Sequence, residues 1–261
     1  MTYKALFLDI DGTILKPDHT YTDSTKTAIS QAKEKGVEVF IATGRPLHEI
    51  EGLAEELDVD SLIGYNGAYA VYQDETIVDE PISSETVRRF LNIAEENGHE
   101  LVLYTNGCNY FTSLDHPFVQ QFNDIFQLKK NEVFTDDVID QIIGITILNI
   151  SPEKARLYEI EENIRLSIVN VNGAEQAQDL IRKNVNKGEA VKTILQRLHI
   201  PQEQAIAFGD GMNDKEMLQA VGHGFAMGNA HPDLVEFAKY QTTTVTESGI
   251  YNGLKKLGLV D

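Results

Sequence analysis

Two aspartates stand one residue apart, Asp9 and Asp11, directly ahead of Gly12 and Thr13. Carboxylates that close suit a divalent metal, because hard cations take oxygen ligands. Alone, the pair reads equally as an acidic turn, since Asp-Gly is a common turn dipeptide. Three further groups bear on the choice. Thr43 begins Thr-Gly44-Arg45, Lys187 precedes Gly188, and Asp210 opens Asp-Gly-Met-Asn213-Asp214. Each has a plain reading of its own. Thr43 suits a helix N-cap and Lys187 a solvated surface position. Residues 210–214 suit a glycine-rich turn or the start of a calcium loop. A calcium loop wants a Glu near its twelfth position and a helix in front, whereas here a strand comes first. The four groups in this order say more than any one of them.

The elements around them tell where they would meet. Ala5 to Leu8 is an unbroken apolar run, suited to one buried parallel strand that ends at Asp9. Val37 to Ala42 is a second strand, ending at Thr43, and Ser61 to Tyr65 a third. A helix over 25–35 stops at Gly36. Pro46 opens another with Leu47, Ile50, Leu53, Ala54 and Leu57 at helical spacing. This β-α-β-α-β order predicts a parallel sheet with crossover helices. In such sheets the strand ends converge on one edge, where ligands bind. The order returns late in the chain. A helix starts at Lys187, a strand over 205–208 ends at the Asp210 loop, and a short strand follows over 224–227. Helices are expected over 232–240 and 249–257.

Between these halves the texture changes. Hairpins are expected around Asp74-Glu75 and Asn106-Gly107. Helices are expected over 84–97, 116–128 and 152–164, and strands over 144–149, 166–171 and 178–181. That mixture reads as an inserted α+β unit at residues 83–184. The core is then 1–82 with 185–261.

Composition narrows the class. With 261 residues, 42% of them hydrophobic, the chain can bury one large core or two smaller ones. The net charge of −19 argues against nucleic acid and anionic membranes as partners. No run approaches a membrane span. Cys108 is the only cysteine, so no internal disulfide forms. The first residues enter a strand without the pattern of an export signal, and a cytoplasmic setting is expected. The seven histidines show no metal-ligand spacing and read mostly as surface or turn residues.

Asp-x-Asp-Gly-Thr at the first strand, Thr-Gly-Arg at the second, Lys-Gly before a late helix and Gly-Asp-Gly-Met-Asn-Asp at the next strand together resemble the haloacid dehalogenase superfamily. The size and place of the insert resemble the Cof-type phosphatases with a C2-type cap. Tyr65-Asn66-Gly67-Ala68 and Ala226-Met227-Gly228-Asn229-Ala230 also look like that family. The resemblance implies an α/β fold: a Rossmann-like parallel-sheet core with an inserted α+β cap that closes over it. It implies a Mg²⁺-dependent phosphatase acting on small phosphorylated metabolites, with sugar phosphates foremost. Asp9 would be the nucleophile, and Asp11 the acid and then the base. Thr43, Gly44, Lys187 and Asn213 would hold the phosphoryl group. The ion would sit on the Asp9 carboxylate, the Asp11 main-chain carbonyl and Asp210, with Asp214 near it. Arg45 would hold its loop or reach the substrate.

Elementary electrostatics agrees with that set. Each unit-charge repulsion at 4 Å costs roughly 4 kcal/mol at an effective dielectric of 20, so several carboxylates facing a phosphate need a cation. Two rivals remain. A phosphomutase or phosphotransferase would pass the group from Asp9 to a sugar hydroxyl. A phospho-accepting signalling module would share the acidic site, the Thr and the Lys, yet would not want an acid/base at Asp11. The substrate itself, the cap residues that select it and the oligomeric state are not written in any motif.

Overall fold

The computed structural model describes residues 2–169 and 171–261. Ala5–Leu8 forms β1, with all four side chains fully buried. Asp23–Glu34 is α1; the Thr22 side chain caps it by accepting from the Thr25 N–H, and Ala28, Ile29 and Ala32 form its buried face. Glu38–Ala42 is β2. A 3₁₀ turn, Leu47–Glu49, and a short α2, Glu51–Glu56, take the place of the single helix expected from Pro46. The run breaks because its two halves pack in different units: Pro46–Glu49 groups with the second unit and Ile50 onward with the first. Ser61–Gly64 is β3, Tyr69–Tyr72 is β4 and Glu75–Asp79 is β5. Gln73 and Asp74, both at positive φ, make the two-residue turn between β4 and β5.

The middle of the chain contributes α3 (Ser84–Asn97), β6 (Glu100–Tyr104), β7 (Asn109–Phe111), α4 (Pro117–Phe126), β8 (Asn131–Val133), β9 (Gly144–Leu148), β10 (Ile164–Ile168) and β11 (Ala177–Arg182). The return half carries α5 (Lys187–Arg197), β12 (Ala205–Gly209), α6 (Lys215–Gln219), β13 (His223–Ala226), β14 (Tyr240–Gln241) and α7 (Gly249–Lys256).

Two units result. The first, 2–45 with 50–78 and 186–261, holds an eight-stranded sheet in the order β14-β13-β12-β1-β2-β3-β4-β5. The strands from β14 to β3 are parallel and β4 is antiparallel to β3. Phe7, Phe40, Ala190, Val191, Ile194, Met217 and Leu218 pack on one face, beneath α5 and α6. On the other face α7 lies on the Phe208 ring, beside α1. Leu8 pairs with Ile41 on one side and Phe208 on the other. That register puts Asp9, Thr43 and Asp210 at one sheet edge. The fold is α/β, as expected.

The second unit, 79–185 with 46–49, holds a six-stranded sheet in the order β10-β11-β9-β6-β7-β8. Its pairs are antiparallel except β7 with β8. Phe90 and Val87 of α3 pack with Leu101, Leu103, Ile145 and Ile147 on one face. Val119 and Phe122 of α4 pack with Val102, Phe111 and Leu148 on the other. The bounds 83–184 lie inside this unit, which also takes in the Pro46–Glu49 turn. There buried Asn109 is the hub. It accepts from His48 Nε2 at 2.9 Å and donates to Glu49 Oε1 at 2.8 Å and the Lys129 carbonyl at 2.7 Å.

Other expectations need correcting. The helices over 152–164 and 232–240 are 3₁₀ runs, Pro152–Leu157 and Pro232–Phe237. None of 152–157 is buried, so no packed face supports a longer helix there. The strand expected over 166–171 is Ile164–Ile168, and Asn170 lies outside the described residues. His48, His99 and His223 are buried rather than superficial. Among the described residues no helix is long and apolar enough to cross a membrane.

Candidate active site

β1 ends and the chain turns sharply at Gly12, whose φ is +86°. A Cβ there would lie 2.1 Å from Asp210 Oδ2, so only glycine lets the two loops approach. Asp9, 6% exposed, stays at the bottom of this edge. Its Oδ1 accepts from Lys187 Nζ at 2.6 Å. Lys187 is the first residue of α5, capped by the Asn186 side chain, and is fully buried. The same ammonium reaches Asp214 Oδ1 at 2.6 Å. Asp214 Oδ2 accepts the N–H groups of Asp210 and Gly211 at 3.0 and 3.1 Å, which folds the loop around it. Thr13 donates to Asp210 Oδ1 at 3.2 Å.

Carboxylate oxygens of Asp9, Asp210 and Asp214 lie within 4.8 Å of one another. Three carboxylates face one ammonium, so negative charge is in excess. Burial, then the neighbouring Asp214, raises the Asp9 pKa well above the usual carboxylate range despite Lys187. The same two causes push Asp210 up to about 6. Burial would depress Lys187, but Asp214 and Asp9 outweigh it and hold the ammonium above its ordinary value. All the donors are oxygens and two of them are short of positive charge. That donor set fits a hard divalent ion such as Mg²⁺.

The Asp11 carboxylate is not part of this cluster. Both of its oxygens meet Arg45, Oδ2 with Nε at 2.8 Å and Oδ1 with the guanidinium Nη2. Arg45 therefore joins the two motif loops, a pairing its position after Gly44 did not reveal. Thr43 is buried; its Oγ1 accepts from the Arg45 N–H at 3.1 Å and so retains its own proton to donate. It serves this turn rather than a helix cap. Asn213 Nδ2 donates to Asn66 Oδ1 at 3.1 Å, and the ideal Cβ of Gly44 would lie 3.1 Å from the same oxygen.

The expected residues Asp9, Asp11, Thr43, Gly44, Lys187, Asp210, Asn213 and Asp214 thus all lie in the first unit, Lys187 at the start of α5, Asn213 and Asp214 in the 3₁₀ turn Met212–Asp214 and the others in the loops that follow the strands. Three others went without a role. Thr13 buttresses Asp210, Asn66 meets Asn213, and Asn229 Nδ2 donates to the Gly12 carbonyl at 2.8 Å. The signal for two of them lay in the Asn-Gly-Ala and Gly-Asn-Ala triplets. Cys108 belongs to the second unit, where burial raises its thiol pKa.

Residues 6–254 match the family model described as haloacid dehalogenase-like hydrolase. A Bacillus subtilis (strain 168) protein named "Putative phosphatase YkrA" is 34% identical over 262 residues, spanning 100% of both chains. The solved structure of a Geobacillus kaustophilus HTA426 protein superposes with a TM-score of 0.90 at 31% identity, covering 99% of this chain and 100% of that one. A sugar phosphatase of HAD subclass IIB superposes with a TM-score of 0.83 at 28% identity, covering 98% and 100%.

Proposed function

This chain belongs to the haloacid dehalogenase-like hydrolase family and is a phosphatase, and on that premise we propose that it is Mg²⁺-dependent and hydrolyses small phosphorylated metabolites, sugar phosphates foremost, through an aspartyl-phosphate on Asp9. The observation that carries the proposal is the Asp9 carboxylate, buried at the sheet edge with one oxygen fixed by Lys187 and two more carboxylates within 4.8 Å. The named relative that acts on a sugar phosphate supports the substrate class. A cytoplasmic setting fits a chain with one cysteine.

Asp9 attacks phosphorus, a carboxylate O–P bond forms, and the ester P–O bond breaks. The leaving alkoxide takes its proton from Asp11. Asp11, now ionised, takes a proton from the water that attacks the phospho-aspartate, so inorganic phosphate leaves and Asp9 is restored. In the geometry seen, Asp11 must release one oxygen from Arg45 to do this. The Thr43 hydroxyl, the Gly44 backbone and the Asn213 amide donate to phosphoryl oxygens, and Lys187 offsets charge on Asp9 and the transferred group. Asp9, the Asp11 carbonyl, Asp210 and Asp214 would hold the ion. The chemistry Mg²⁺ supplies at such a cluster is charge neutralisation and polarisation of a phosphoryl oxygen. We assign substrate selection to the second unit.

The test is phosphate release from a panel of sugar phosphates, nucleotides and an aryl phosphate, with Mg²⁺, with chelator and with Asp9→Asn. Release that needs both Mg²⁺ and Asp9 is expected. Isomerisation of a sugar phosphate without release would install a mutase instead.

A further inference from the structure

The turn Tyr65–Gly67 belongs to none of the four chemical motifs, yet it touches three of them. The Asn66 N–H donates to the Thr43 carbonyl at 3.1 Å, and the Tyr65 N–H to the Arg45 carbonyl at 3.2 Å. Gly67, at φ +99°, lies so near the start of α5 that a Cβ would sit 2.3 Å from the Asn186 carbonyl oxygen, next to Lys187. The Asn66 side chain then reaches the fourth strand-end loop, where its Oδ1 accepts from Asn213 Nδ2 at 3.1 Å. Asn66 itself sits at φ 54°, a left-handed conformation that asparagine tolerates and most residues do not.

We propose that Asn66 is a positioning residue of the phosphate cradle, acting by fixing which way the Asn213 amide faces. An amide offers an acceptor on one side and donors on the other. Only the NH₂ side can hold an anionic phosphoryl oxygen; the carbonyl side would repel it. Because Asn66 Oδ1 accepts one N–H of Asn213, that NH₂ is turned toward the Thr43–Gly44 turn and its second hydrogen is left to a phosphoryl oxygen. The backbone bond from Asn66 to Thr43 holds the opposite wall at a set distance. This inference deepens the phosphatase reading and rests on it for the identity of the ligand.

The deciding variant is Asn66→Gly. Glycine adopts φ 54° without strain and keeps the backbone bond to Thr43, so only the side chain is removed. It is combined with Asn213→Ala in a double-mutant cycle on the full chain with Mg²⁺, and melting temperatures confirm that all four proteins fold. Two readouts are taken: KM and kcat on an aryl phosphate, and the calorimetric dissociation constant for inorganic phosphate. Hydrogen bonds to charged groups are worth enough that each single variant should weaken phosphate binding about ten-fold or more, with KM rising more than kcat falls. If Asn66 works through Asn213, the double variant is no weaker than Asn213→Ala alone. Independent, multiplying losses, or an Asn66→Gly protein that binds phosphate like the wild type, would overturn the proposal. A wild type that binds phosphate with this coupling but releases none from any ester would sink the phosphatase reading and leave the role of Asn66 standing.

Discussion

The ion pairs of the two cations at the site carry different weight. Lys187 meets Asp9 and Asp214 with no exposure of its own, whereas Arg45 and Asp11 are 36% and 54% exposed. Removing one partner of a buried pair leaves uncompensated charge, at a cost of about 3–5 kcal/mol, while an exposed pair is worth under about 1 kcal/mol. Lys187→Met should therefore shift the urea midpoint strongly, and Arg45→Gln hardly at all. Asp11→Asn should fold normally and lose about 10²–10⁴ in kcat, the range of a general acid–base group. The raised carboxyls make a further claim. Protons compete with a cation for Asp9 and for Asp210, whose pKa is about 6. Mg²⁺ affinity measured calorimetrically should weaken as pH falls through about 6 and level off well above it. Affinity independent of pH between 5 and 8 would remove the carboxylate cluster as the ion's seat.

Elements were legible where a period or a strand end marked them. The apolar runs of β1, β2 and β12 each stop at the residue that carries chemistry, so motif and element announce one another. β14 was not legible: it is two residues long, Tyr240 and Gln241, and begins at the last residue of the helix expected over 232–240. β8 has no apolar alternation, and Glu132 and Val133 are exposed. The pairing of Arg45 with Asp11 depends on how two loops turn, which no spacing records, and single amides such as Asn66 carry no period. Buried histidines were equally hidden. His99, between α3 and β6, places Nδ1 2.8 Å from the Tyr158 hydroxyl, and burial, with Lys154, lowers its pKa. The unfolded chain takes this proton first, below about 6.5, so unfolding is favoured as pH falls from there to the lower folded value. Above that window the effect vanishes. The urea midpoint of the wild type should fall as pH drops through that window, and His99→Gln should flatten that part of the profile.

At the scale of the whole molecule, the net charge of −19 repels an anionic substrate over long range at low salt, whereas at physiological salt charges more than about 8 Å away are largely screened. With Mg²⁺ saturating, kcat/KM for a dianionic ester should rise as NaCl is raised from near zero to physiological levels; a steady fall would mean that local attraction governs encounter. The division into units has an evolutionary corollary. Asn109, the hub of the second unit, takes two of its partners from His48 and Glu49, which the first half of the chain supplies. An insert cut at 79 and 185 and moved to another scaffold would arrive with a buried amide stripped of one of its acceptors, the Glu49 carboxylate, and of the His48 imidazole. Lineages that exchange such inserts must carry a four-residue passenger from elsewhere in the gene, or re-invent one, and the two stretches should drift together.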